Sequence, residues 1–244
     1  MSNVIEFTPW PKIARLNRDI FITEKLDGTN AAVLIVEQPF GGGEFPDFNR
    51  IAIVVDDSRR DENGVPAEEF HVYAQSRNRF ITPGKSTDNY GFAGWVEEHA
   101  EELVLALGAG RHFGEWWGAG IQRGYGLEPG DKRFSLFDYK KWTTLFAEDD
   151  ANQLAFYSVP GLGLVPKIYE GPFSGLIIED AVSLLRLGGS FAANYPRPEG
   201  IVVWHTAARI SFKVTLEDDA APAKKGVRNP LDLLPVAAEL GLAA

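Results

Sequence analysis

The segment from residue 18 to residue 37 constrains the fold of this chain more than any other, because it predicts two β-strands joined by a tight turn. Residues 19–24 are rich in β-branched and aromatic side chains, and residues 31–36 form a continuous apolar run typical of a buried strand. Between them, residues 27–30 have the sequence Asp-Gly-Thr-Asn, which is typical of a turn. The chain must therefore build β-sheet around this segment.

The rest of the sequence predicts short strands mixed irregularly with two clear helices. The apolar residues of 92–107 and 174–187 have helical spacing, and each segment ends at a glycine. Further strands are predicted over residues 51–55, 70–75, 112–116, 134–139, 165–168, 201–204 and 210–216. A helical turn at 229 and a short helix over 235–240 are predicted near the C-terminus. This order of elements predicts an α+β fold, not a doubly wound α/β fold.

The composition limits the class of protein. With 45% hydrophobic and 24% charged residues, the 244-residue chain resembles an ordinary soluble globular protein. The absence of cysteine excludes disulfides and thiolate sites. Because we find neither a signal peptide nor the ~18 consecutive apolar residues of a membrane helix, we expect a cytoplasmic protein that does not bind membranes.

The net charge of −10 by itself argues against a partner as acidic as nucleic acid. The acidic residues are concentrated in two segments, 56–69 and 97–102, whereas residues 111–142 contain six basic and four acidic residues. A locally basic groove on an acidic protein is therefore compatible with a nucleic-acid partner.

Lys25 is the first candidate for chemistry. Lysine followed two residues later by Asp27 is, taken alone, usually a solvated surface pair. Here Lys25 ends an apolar strand and leads into a turn, so its amine can be held against a pocket wall. Partial desolvation would lower the pKa of the amine and make it a nucleophile, and Gly28 would let the backbone approach a ligand closely.

The run Glu24-Lys25-Leu26-Asp27-Gly28 resembles motif I of the covalent nucleotidyltransferases, which include DNA ligases, RNA ligases and mRNA capping enzymes. With Thr29-Asn30 added, it is similar to the branch of phage nick-sealing RNA ligases and trypanosome editing ligases. The resemblance implies a nucleotidyltransferase (ATP-grasp-like, DNA/RNA-ligase adenylation) domain of mixed antiparallel sheets with flanking helices. It also implies that Lys25 takes AMP from ATP, that Asp27 orients and activates Lys25, and that Asn30 acts in sealing. Glu24 and Gly28 would lie at the nucleotide.

Five further segments resemble the later motifs of this family in the expected order: residues 75–78, 113–118, 134–139, 198–203 and 212–215. The resemblance implies one functional residue in each: Arg77 at the ribose or the nucleic acid, Glu115 at the ribose hydroxyls, Phe137 stacked on adenine, Glu199 at Mg²⁺ (or Mn²⁺), and Lys213 at the α-phosphate. Three of these residues also have a plain alternative. Glu115 could face water, Phe137 could be core, and Arg77 could be an ordinary surface residue.

The last of these segments departs from the family pattern of two lysines. Lys213 is flanked by Ser211 and Thr215, so the second cation is absent or comes from Lys224 or Lys225. Residues 216–244 are too few for the oligonucleotide-binding barrel of DNA ligases and capping enzymes. We therefore expect residues 1–244 to form a single adenylyltransferase domain without that barrel.

Together these features predict an ATP-dependent RNA ligase that forms lysyl-AMP, adenylates a 5′-phosphate end and joins it to a 3′-hydroxyl. Its partner would be nucleic acid carrying such ends, RNA in preference to DNA. Two alternatives remain open: a minimal ATP-dependent DNA ligase, and a catalytically weak module that binds nucleic-acid ends. The sequence does not predict the oligomeric state.

Overall fold

The computed structural model describes residues 7–42 and 47–217, and it confirms the α+β prediction. The strands are β1 (Asp19–Lys25), β2 (Thr29–Pro39), β3 (Ala52–Val55), β4 (Glu68–Ser76), β5 (Phe80–Ile81), β6 (Gly110–Gly118), β7 (Lys132–Leu136), β8 (Leu162–Leu164), β9 (Lys167–Pro172), β10 (Gly200–His205) and β11 (Ile210–Thr215). The helices are α1 (Phe92–Glu98), α2 (Ala100–Leu107), α3 (Tyr139–Glu148), α4 (Asp150–Ser158) and α5 (Gly175–Gly188), with 3₁₀ turns at Asp47–Asn49 and Gly124–Gly126.

The strands form two sheets, and the chain crosses from one to the other at the turn after Lys25. The larger sheet has the order β3-β4-β2-β6-β7-β8, with β5 added beside β4, and only β7 and β8 pair in parallel among the described strands. The smaller sheet has the order β11-β10-β1-β9 and is antiparallel. The two strands predicted on either side of the turn therefore belong to different sheets.

Each sheet buries one face against helices, because its apolar residues alternate along the strands. The larger sheet presents Val33, Trp116 and Phe134 to α1, α2, α3 and α4. The smaller sheet presents Ile20, Ile22, Ile201 and Val203 to α5. A third buried cluster of Leu26, Trp117, Tyr125 and Val165 lies where the sheets meet. The other faces of the sheets are left to form the site.

Three predicted elements differ from the structure. The helix over 92–107 is divided at His99, whose φ of −113° and ψ of 24° are not helical. The strand over 165–168 is replaced by β8 and β9, because Pro166 lies between them and cannot donate a ladder hydrogen bond. The strand over 134–139 ends at Leu136, since Asp138 caps α3 by accepting the Lys141 N–H.

Two helices were not predicted at all. α3 and α4 are only ten and nine residues long, and Asp149, which caps α4, separates them. Neither is long enough to give a sustained helical period in the sequence. The predicted helical segments at 229 and 235–240, and Lys224 and Lys225, lie outside the described residues. In the described part of the chain, no helix has the length and apolar character needed to cross a membrane.

Candidate active site

The site lies in a groove between the free faces of the two sheets. In β1, Ile20 and Ile22 point to α5, so Lys25, an odd-numbered position of the same strand, points the other way. In β6, Trp116 points to the core of the larger sheet, so Glu115 faces the groove. The N–H of Gly28 donates to Glu115 Oε1 across 3.2 Å, which joins the turn after Lys25 to β6.

Lys25 makes a direct ion pair across the smaller sheet. Its Nζ lies 2.5 Å from Glu199 Oε2, and the two side chains are 24% and 19% exposed. The pairing of β1 with β10 explains the contact, because Lys25 lies opposite Gly200, the residue after Glu199. The structure therefore brings together the predicted nucleophile and the predicted metal ligand, which are 174 positions apart in the sequence.

Glu115 is not a water-facing strand residue. Burial raises the pKa of its carboxyl to about 7, against the smaller opposing effects of the Lys25 charge and the Gly28 N–H. Asn30 lies opposite Glu115 in the pairing of β2 with β6 and so shares its face. A carboxyl that is half protonated near neutral pH, beside a lysine, is typical of a functional site.

Gly28 is required by packing within the protein. A Cβ at this position would collide with the carbonyl oxygen of Trp116 and would lie 2.8 Å from the Cβ of Trp117. The close approach that the sequence assigned to a ligand is thus made, in this structure, to β6. Because the turn can press against β6 only without a side chain, Gly28 fixes the distance between Lys25 and Glu115.

Glu24 points away from Lys25. Its Oε2 accepts the N–H of Phe191 across 2.8 Å, and burial raises the pKa of this carboxyl. The alternation of side chains along β1 places these neighbours on opposite faces. The structure therefore does not bring Glu24 into the cluster around Lys25, and its place at the nucleotide stays a prediction.

The remaining predicted residues are exposed at the surface. Arg77 follows β4, is exposed, and lies close enough to Glu115 for its charge to lower the pKa of that carboxyl. The N–H of Phe137 donates to the carbonyl of Phe113, and the side chain is 41% exposed, which excludes a plain core role. Lys213 lies opposite Val202, which in turn lies opposite Thr23, so Lys213 shares the face of Lys25.

Comparison with known proteins identifies the family. A model of the RNA ligase family matches residues 18–215, most of the chain. The chain belongs to the RNA ligase family. No curated protein sequence matches it.

Solved structures of Naegleria gruberi RNA ligase mutants resemble this RNA ligase family member in fold. One, with ATP and Mn, is 18% identical with a TM-score of 0.50, and the match covers 83% of this chain and 51% of that chain. Another, with AMP and Mn, is 18% identical with a TM-score of 0.49, and the match covers 82% and 50% of the two chains. A third, with ATP and Mn, is 16% identical with a TM-score of 0.49 and covers 83% and 51%. The chain spans about half the length of these ligases.

Three residues of this RNA ligase family member near the site were not found from the sequence. Arg123 and Tyr125 both bind Asp27: the Arg123 Nε donates to Asp27 Oδ2 across 2.9 Å, and the Tyr125 hydroxyl accepts the Asp27 N–H across 2.9 Å. Lys167 lies opposite Thr23 on the other side of β1 from Lys213, with its Nζ 5.4 Å from the ring centre of Tyr139. No local motif in the sequence marks any of them, and Arg123 lies in the basic stretch 111–142.

A cavity of about 670 Å³ lies between the sheets on this second side, near Lys167. Its walls include Trp117 and Ser135 of the larger sheet, whose side chains are joined by a 2.9 Å hydrogen bond. On the opposite side, its walls include Lys167 and Phe191. Lys167 on the β9 side and Lys213 on the β11 side are both exposed to solvent.

The acidic groups fit a magnesium ion that takes most of its ligands from elsewhere. No cluster of three or more potential metal ligands exists among residues 7–42 and 47–217. Glu199 offers one carboxylate beside Lys25, and Mg²⁺ commonly uses one or two carboxylates with water and substrate phosphates. This donor set fits a metal that arrives with a nucleotide.

Proposed function

We propose that this protein is an ATP-dependent RNA ligase that works through a lysyl-AMP intermediate. The 2.5 Å contact between Lys25 Nζ and Glu199 Oε2 carries the proposal, because it joins the expected nucleophile to the expected metal ligand. Membership of the RNA ligase family supports the same reaction. ATP and Mn are present in a Naegleria gruberi RNA ligase structure of the same fold, which supports this choice of nucleotide and metal.

In the first step, the unprotonated amine of Lys25 attacks the α-phosphorus of ATP. The phosphorus–nitrogen bond forms as the bond to the bridging oxygen breaks, pyrophosphate leaves with the electron pair, and the amine proton passes to solvent. Asp27 orients the amine from the adjoining turn, and Lys213 holds the α-phosphate. Fixed positive charge stabilises the charge that develops on the phosphoryl oxygens.

In the proposed mechanism, side chains in the groove bind the nucleotide. Glu115 binds the ribose hydroxyls, Arg77 binds the ribose or the nucleic acid, and the exposed ring of Phe137 stacks on adenine. Gly28 holds the turn against β6 so that these groups face Lys25. Glu24 stays a predicted nucleotide contact, although its carboxylate accepts the N–H of Phe191 on the other face of β1.

A Mg²⁺ or Mn²⁺ ion would be held by Glu199 with ATP phosphates and water, and it would supply positive charge that neutralises the phosphate oxygens. Glu199 is positioned for this at the start of β10, next to Lys25.

The second and third steps join two nucleic-acid ends. The 5′-phosphate oxygen of one end attacks the phosphorus of lysyl-AMP, the phosphorus–nitrogen bond breaks, and Lys25 leaves as an amine that takes a proton from solvent, so AMP is carried on that end. The 3′-hydroxyl of the other end then loses its proton to solvent and attacks the 5′-phosphorus, the bond to the bridging oxygen breaks, AMP departs with the electron pair, and a phosphodiester forms. Asn30, opposite Glu115 on the groove face, acts at this sealing step.

Incubation with ATP labelled at the α-phosphate tests the first step directly. The wild-type protein with Mg²⁺ should become covalently labelled, and Lys25→Ala should lose the label completely because the nucleophile is gone. Lys85→Ala, which removes an exposed lysine that is not one of the predicted site residues, is the matched control and should label normally. An unlabelled wild type would refute the proposal, and label on Lys25→Ala would refute the choice of nucleophile.

The preference for RNA is tested with nicked duplexes that differ only at the 3′-hydroxyl side. We expect faster sealing when the terminal nucleotides there are ribonucleotides. Equal or faster sealing with deoxyribonucleotides would favour the minimal DNA ligase. We also propose that the whole groove belongs to one adenylyltransferase domain, since the family match from residue 18 to 215 contains every site residue.

A further inference from the structure

Arg123 binds three segments of the chain with one guanidinium group. Its Nε donates to Asp27 Oδ2 across 2.9 Å, one terminal nitrogen donates to the carbonyl of Arg197 across 3.1 Å, and the other donates to Glu217 Oε2 across 3.4 Å. The Arg123 side chain is 24% exposed. A lysine could not replace it, because only the planar fork of arginine presents donors in several fixed directions.

The backbone around Arg123 is shaped for this contact. Gln122 and Tyr125 have φ values of 43° and 51°, in the left-handed region that non-glycine residues rarely adopt. Such conformations persist only where the surroundings impose them, and they are concentrated at functional sites. Here the result is that Arg123 reaches the carboxylate of Asp27 while the buried Tyr125 hydroxyl accepts the Asp27 N–H.

Two of the three partners of Arg123 are connected to the site. Asp27 is two residues from Lys25, and the Arg197 carbonyl is two residues before Glu199. One side chain thus joins the turn that carries the nucleophile to the segment that leads into the metal ligand. A displacement of about 1 Å in such a site can cost on the order of 100-fold in rate. A contact that fixes these two segments is therefore expected to affect the rate of the reaction.

We propose that Arg123 is a positioning residue for lysine adenylylation, and that it acts by fixing the carboxylate of Asp27 beside Lys25. The inference rests on the proposed function. Arg123 donates to the carboxylate of Asp27 and takes no part in the bonds that form or break. Its loss lowers the rate of labelling at saturating ATP and leaves the ATP concentration for half-maximal rate nearly unchanged.

A double-mutant cycle tests this inference on the 244-residue chain. Single-turnover labelling from α-labelled ATP is measured for wild type, Arg123→Met, Asp27→Asn and the double variant, over a range of ATP concentrations. We expect Arg123→Met to slow labelling at saturating ATP by about 10- to 100-fold. In the Asp27→Asn background the same change should cost less than about threefold, because coupled residues are not additive.

Arg60→Met is the matched control. Arg60 also binds an aspartate and a carbonyl, Asp57 and Gly64, but it does so on an exposed loop away from the groove. This variant should label at the wild-type rate. If Arg123→Met fails to show a cooperative melting transition, Arg123→Lys replaces it in the same cycle, with the same coupling expected.

The outcomes separate the inference from the function on which it rests. An unlabelled wild type removes both. A labelled wild type with an equal loss from Arg123→Met in both backgrounds shows a general effect on the fold and overturns the positioning role. A rise in the ATP requirement without a change in the saturated rate also overturns it, since this is the signature of a group that binds ATP. If Asp27→Asn labels too slowly to measure, this comparison of rate and ATP requirement decides alone.

Discussion

The two ends of the groove differ in how far their functional residues are buried and bonded within the described part of the chain. The nucleophile end, which consists of Lys25, Asp27 and Glu115, is connected on every side: to Glu199, to Arg123 and Tyr125, and to the Gly28 backbone. The phosphate edge, which we define as the groove face of β11 around Lys213, is exposed and carries one lysine among Ser211 and Thr215. The comparison teaches that the nucleophile is held by several partners among the described residues, whereas Lys213 extends from a solvent-exposed position of β11.

The sharpest way to break this comparison is to remove Glu199. Glu199→Ala should slow labelling by about 100-fold or more, because Lys25 loses its only partner across the smaller sheet among the described residues and the site loses its metal carboxylate. Glu68→Ala, which removes a carboxylate at the start of β4 that pairs with Arg59, should have no effect. A rate close to wild type for Glu199→Ala would show that the nucleophile end does not depend on this contact.

The burial of Glu115 predicts that the free energy of unfolding depends on pH. Because the pKa of Glu115 is about 7 in the folded protein and its ordinary value is 4.5, the folded state holds this proton more tightly than the unfolded state. The free energy of unfolding should therefore fall as pH rises from 4.5 through 7. The upper limit is roughly 3 to 4 kcal/mol, and it is reduced where solvent reaches the carboxylate.

Urea unfolding at pH 5 and pH 8 measures this effect. Wild type should lose more stability between the two values than Glu115→Gln, which has no proton to lose. Glu24 changes with pH in the same direction in both proteins, because its pKa is also raised, so the difference between the proteins isolates Glu115. An identical pH dependence in both would contradict the predicted ionisation.

The smallest expected effect is a faster labelling reaction after a lysine is added at the phosphate edge. Thr215 lies in one cross-strand row with Gly200 and Lys25, so Thr215→Lys would place a second cation beside the reacting phosphate. We expect labelling to become about threefold to tenfold faster, as one added charge contributes roughly 1 kcal/mol at a partly exposed site. Ser211→Lys, in the row of Trp204 and Phe21, is the control. The reverse pattern would place the second lysine position of the family at residue 211.

Local patterns and family motifs in the sequence predicted part of the fold and part of the site. The α+β class, β1, β2 and α5 follow from periodicity, and the shared groove face of Lys25, Glu115 and Lys213 agrees with the motifs. Glu24 was assigned to the nucleotide by its place in motif I. The two-residue alternation of a strand already puts it on the face opposite Lys25.

Arg123 and Tyr125 could not be found in this way. They meet Asp27 from 96 and 98 residues away, and their positions depend on an irregular turn with left-handed backbone conformations. Neither periodicity nor motif spacing encodes such a turn. α3 and α4 were missed for a related reason, since two short helices divided by Asp149 give no continuous helical period.

The pairing of β1 with β10 also has a consequence for how the chain matures. Lys25 is translated early, but its partner Gly200 emerges about 175 residues later, whereas β2 to β8 of the larger sheet are complete by Leu164. Domains fold as their parts leave the ribosome, and pairings distant in sequence form last. The larger sheet can thus form while β1 still lacks β10, and a chain stopped before β10 would expose an unpaired apolar strand edge, which invites aggregation. The nucleophile gains its carboxylate partner only in one of the last events of folding.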